Sequence, residues 1–71
     1  MSFRKIALDS LKLNAAKDKA EAQASLEILL NHPAGIGDHS TDDLHKNLNE
    51  ALSRLADAED RLETLKRNFG V

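Results

Sequence analysis

Three histidines, His32, His39 and His45, stand close together in the chain, with Asp38 and Asp42 beside them. Imidazole and carboxylate groups are ligands for zinc or nickel. The spacing argues against a metal site, because no two histidines lie four residues apart and no His-Glu-x-x-His run occurs. Cysteine is absent, which removes thiolate ligands, disulfides and a thiol nucleophile. We expect the histidines to be solvated loop groups, with no metal and no cofactor. The stretch Pro33-Ala34-Gly35-Ile36-Gly37 is superficially like a phosphate-binding loop. It precedes a helix N-terminus, which can attract anions. But no strand precedes it and no Gly-Lys-Ser/Thr follows it. Asp38, Asp42 and Asp43 would repel a phosphate there. No nucleophile–base pair is present, and two helices build no concave site. The chain is therefore expected not to be an enzyme, with no catalytic residues.

A basic stripe is the remaining chemical signal. Lys5, Lys12 and Lys19 recur every seven residues, and with Arg4 and Lys17 they give residues 1–20 a local charge of +3 (five basic, two acidic). A basic helix face can meet nucleic acid. No nucleic-acid-binding motif is present, no aromatics interleave, and the whole chain has a formal charge of −2. The preferred expectation is a solvated stripe near Asp57, Glu59, Asp60 and Glu63 of the second helix. A small nucleic-acid-associated regulator is the alternative.

These groups must be carried by helices. Strong helix formers dominate the chain and β-branched residues are scarce. No segment alternates with period two. The only proline and two of the three glycines fall within residues 32–39, which read as a loop. The expected fold is all-α: a single helix–loop–helix domain, residues 1–71. Its helices span about 3–31 and 40–69, and the loop about 32–39. Ser40 with Asp43 resembles a capping box at the start of the second helix. Ser2 is a candidate cap for the first, and Gly70 for the end of the second. Glu50–Arg54, Asp57–Arg61 and Glu63–Arg67 stand at i,i+4 spacing in the favourable order.

The apolar stripes indicate how the helices associate. In helix 2, Leu48, Leu55, Leu62 and Phe69 share one heptad position; Leu44, Ala51, Ala58 and Leu65 share the other. Leu52 widens this stripe. In helix 1, Leu8, Leu11, Ala15, Ala22, Leu26 and Leu29 fall in one sector. Ile6, Leu13, Ala16, Ala20, Ala24 and Ile28 fall on nearly the opposite side. A helix that is apolar on two faces is buried on two faces. The first sector is assigned to the seam of an antiparallel hairpin, with facing residues summing to about 72. The second is assigned to an oligomer interface. Asp18 interrupts the seam sector, and the same register sets it opposite Arg54, so an Asp18–Arg54 ion pair is expected. Ile36 is expected to fold back on the bundle end, or else to meet a partner.

A Leu/Ala core from a lone chain of 71 residues barely offsets the entropy of ordering it. Self-association into a coiled-coil-like helical bundle is therefore expected, with a four-helix-bundle dimer favoured and a trimer next. No apolar run reaches 18 residues, so no membrane span is expected. The lack of cysteine in so small a chain, and of an apolar signal-peptide core, points to a cytoplasmic setting.

Two segments carry a resemblance. They are Leu30-Asn31-His32-Pro33-Ala34-Gly35-Ile36-Gly37-Asp38-His39-Ser40 and Ala56-Asp57-Ala58-Glu59-Asp60-Arg61-Leu62-Glu63-Thr64-Leu65. They resemble small uncharacterised helical-hairpin proteins of tailed, T4-like phages of marine bacteria and cyanobacteria. Those proteins share an N-P-x-G-I-G-x-H loop and an A-E-D-x-L-E-x-L second helix. The likeness covers about half of the chain, and His32 departs from the loop pattern. It implies a phage-encoded hairpin in the host cytoplasm, with no activity and no site residues to transfer. The expectation is a non-enzymatic, oligomeric interaction or structural protein that binds an unidentified protein partner.

Overall fold

The computed structural model describes residues 2–31 and 41–71. The expected loop with His32, Ile36 and His39, and the Ser40 cap, lie outside the described residues. Two helices are present, α1 (Phe3–Asn31) and α2 (Thr41–Phe69), and no strand occurs among the described residues. They form an antiparallel hairpin measuring 53 × 18 × 15 Å.

Local chemistry sets the helix ends. The Ser2 hydroxyl accepts the Lys5 backbone N–H at 3.1 Å, and the Ser2 carbonyl accepts that of Ile6 at 3.3 Å. One donor that α1 would otherwise leave unpaired is thereby satisfied, as a serine N-cap does. At the other end of α1, the Asn31 side-chain amide donates to the Glu27 carbonyl at 2.8 Å and to its carboxylate at 2.9 Å. In α2, Lys66 and Arg67 complement the negative end of the dipole. Gly70 then turns the chain out of the helix at φ 70°, and its N–H donates to the Lys66 carbonyl at 2.9 Å. This is the left-handed cap that glycine favours. Nothing lies within 4 Å of where a Gly70 Cβ would sit, so only backbone strain opposes a side chain. Gly70→Ala should lower stability by about 1 kcal/mol, whereas D-alanine introduced by chemical synthesis should not. Equal losses in denaturant titrations of both variants would refute this account of the cap.

The seam is narrow because its centre is alanine. The described residues that are buried are Ala15 and Ala22 of α1 and Ala51, Ala58 and Leu65 of α2. Ala15 with Ala58, and Ala22 with Ala51, each sum to 73. Arg4 stacks over the Phe69 ring at 5.7 Å, with the same sum. These alanines are the pairs that the expected register of about 72 sets face to face, and all four are buried. Leu8, Leu26, Leu29, Leu44, Leu48, Leu55 and Leu62 flank the alanines and are half-buried. Two expected seam residues stay exposed, Leu11 and Phe69. Leu11 lies toward the polar edge, in a groove lined by Asn14, Asp60, Arg61, Thr64 and Leu65, and stays 54% exposed. Phe69 is the last residue of α2, and Arg4 lies over its ring.

Candidate interaction surfaces

Three surfaces surround the seam. The first is the outer stripe of α1. Ile6, Leu13, Ala16, Ala20, Ala24 and Ile28 are all exposed, with Leu13 at 70%. Nothing among the described residues covers them.

The second is a polar edge. At one side of the seam, α1 brings Asp18 and Ser25, and α2 brings Arg54 and Arg61. Asp18 pairs with Arg61 at 2.7 Å, and Arg61 also holds Asp57 at 3.1 Å. The expected Asp18–Arg54 pair is thus corrected, and the reason is geometric. Every Cβ leans toward the N-terminus of its own helix. In an antiparallel pair, residues directly opposite one another on an edge therefore lean apart. Asp18 and Arg61, whose numbers sum to 79, lean together. Arg54 leans likewise toward Ser25, one heptad along, in a groove also lined by Ile28, Asn47 and Glu50. Asp57–Arg61 forms as expected. Neither Glu50–Arg54 nor Glu63–Arg67 closes into an ion pair among the described residues.

The hydrogen bond from Arg61 holds the Asp18 carboxyl below its ordinary value of 3.8. Partial desolvation opposes this, and the charges of Arg61, Lys17 and Arg54 reinforce it. The same bond raises the Arg61 guanidinium above its ordinary value. A carboxyl whose pKa is depressed by folding adds stability above its unfolded pKa, and loses it as pH falls through the folded pKa. Asp18→Asn should therefore melt below wild type at pH 7, and the gap should close below about pH 4. A gap of equal size at pH 7 and pH 2 would show that the pair's charge is not its source.

The third surface is the opposite edge. Here α1 presents Lys12, Lys19, Leu26 and Leu30, and α2 presents Leu48, Leu52, Leu55 and Glu59. Leu30 and Leu52 are 58% and 54% exposed. The apolar sector of α2 is centred on this side of the buried Ala51–Ala58–Leu65 line, so α1 covers only part of it. Sequence reasoning missed this edge as a surface. The signal was Leu52, which widens the stripe beyond what one partner helix can cover.

The basic stripe is partly neutralised by its own helix. Lys5 pairs with Asp9 at 3.1 Å and Lys17 with Glu21 at 3.8 Å. His45 is exposed, and no group of three metal-ligating side chains assembles among the described residues. No described helix is long and apolar enough to cross a membrane. No protein-family model, curated protein or solved structure matches the chain.

Proposed function

We propose that the chain is a non-enzymatic, self-associating helical hairpin that serves as a small interaction or structural protein. The carrying observation is its surface. Large apolar side chains of both helices stay in solvent, with Leu13 at 70%, Ile28 at 61%, Leu30 at 58% and Leu52 at 54% exposure. The thin core agrees, since four of its five buried apolar residues are alanines. The α1 outer stripe and the leucine edge are the surfaces available to a second copy and to a protein partner. A phage-encoded origin and a cytoplasmic setting belong to this reading through the likeness of the loop and second-helix motifs. Sedimentation equilibrium at micromolar concentration should give the mass of a small oligomer, with a dimer favoured. A well-folded monomer throughout that range would overturn the proposal.

A further inference from the structure

The outer stripe of α1, with its large apolar groups Ile6, Leu13 and Ile28, is flanked by charges in a set order. At about 100° per residue, Lys12 and Glu27 fall on one side of it, and Lys17 and Glu21 on the other. All four are exposed. Lys12 has no ion-pair partner among the described residues, and Glu27 has none either, accepting only the Asn31 amide at 2.9 Å. Asp9, on the Lys12 side, is already held by Lys5.

We propose that this stripe packs against the same stripe of a second copy, with the two α1 helices antiparallel. The inference rests on the self-association proposed above and adds its face and direction. A two-fold axis perpendicular to the helices makes the contact self-complementary, and it sets each side of the stripe beside the same side of the other copy. The register that covers the whole stripe is the one whose facing residues sum to about 34. Ile6 of each chain then meets Ile28 of the other, and Leu13 meets Ala20. Centring the contact on Leu13 instead leaves Ile28 in water, and centring it on Ala20 sets Leu13 against Glu27. The lean of the side chains then decides which charges meet. At the hairpin seam the buried alanines sum to 73, and the pair that leans together, Asp18 and Arg61, sums to 79. The same shift asks for edge pairs that sum to about 40 between the two α1 helices. Lys12 and Glu27 sum to 39, so Lys12 of each chain reaches Glu27 of the other, twice per dimer. On the other side Lys17 faces its own copy across the axis, but the two lean apart, each toward Glu21 of the other chain. A parallel pair would leave Lys12 and Glu27 roughly 22 Å apart along the axis.

The test uses the full chain. Leu13 is 70% exposed in the hairpin, so Leu13→Glu removes the contact while sparing the seam. It should raise the dimer Kd by a factor on the order of 100, since each dimer carries the change twice. Leu52→Glu, on the leucine edge, should leave the Kd within about threefold of wild type. Lys12→Glu and Glu27→Lys should each weaken the homodimer about tenfold, because each sets like charges together twice. An equimolar mixture of these two variants should associate as tightly as wild type, since every contact between positions 12 and 27 then joins opposite charges. Mixing could not repair a misfolded chain. Lys46→Glu mixed with Glu59→Lys is the control for net charge. Both changes lie on α2, away from the stripe, and each variant should associate alone as it does in the mixture. A dimer split by Leu52→Glu and indifferent to Leu13→Glu overturns this face while self-association stands. Charge variants that have no effect, or that mixing does not restore, overturn the antiparallel register, as does a trimer mass. A folded monomeric wild type overturns both readings together.

Discussion

Ala58→Leu should cost about 1–3 kcal/mol of stability, and Ala22→Leu a similar amount. Both alanines are fully buried, at 0% exposure, on the line where α1 packs against α2. Leucine adds three carbons to a site with room for one methyl group. Helix propensity cannot mask the effect, because alanine and leucine both rank near the top of that scale. Ala56→Leu is the matched control on the exposed face of α2, where the change should stay within about 0.5 kcal/mol. Denaturant titrations of the three variants decide the matter. If Ala58→Leu stabilises the chain, or matches Ala56→Leu, the close-approach seam is wrong.

That seam was legible because the signal is regular. Leu44, Leu48, Ala51, Leu55, Ala58, Leu62 and Leu65 hold the heptad spacing across α2, and turn residues cluster between the helices. Few backbones other than a hairpin satisfy both at once. The helix ends were legible through Ser2 and Gly70, whose preferences are local and need no knowledge of tertiary packing.

The edges were harder to read. Register arithmetic treats a helix as a row of points, so it set Asp18 against Arg54. Side chains lean, and the lean moves the meeting point by about one heptad in an antiparallel pair. The charge pattern contained the answer, since Arg61 and Arg54 stand seven apart, but only Asp18 offers a carboxylate on the α1 side; Ser25 holds the equivalent place. Leu52 shows the same limit. Its apolar character was plain, yet whether it meets α1 depends on how α2 is rotated in the hairpin. The rotation follows from alanine packing, which a count of apolar positions does not encode. Ile6, Leu13 and Ile28 were legible as a second apolar face, and among the described residues they stay exposed. What covers them is a property of a complex, and apolar spacing alone does not specify it; the flanking charges carry the direction.

The melting temperature should rise by about 5 °C for each tenfold increase in protein concentration. If folding and association are coupled, unfolding one dimer yields two chains, and the midpoint depends on mass action. A tenfold change in concentration is worth about 1.4 kcal/mol at this equilibrium. Two chains of 71 residues unfold with an entropy of about 0.3 kcal/mol per kelvin, which converts that energy to roughly 5 °C. Leu13→Glu should flatten this dependence if the α1 outer stripe is the interface, and it should also lower the midpoint, because the hairpin then relies on its alanine core alone. Calorimetric scans of wild type from about 10 µM to 1 mM, repeated on the variant, make the comparison. A wild-type midpoint that does not move across that range means that the hairpin folds on its own. In that case the alanine seam is stronger than its small buried area suggests, and coupled folding and association fail together.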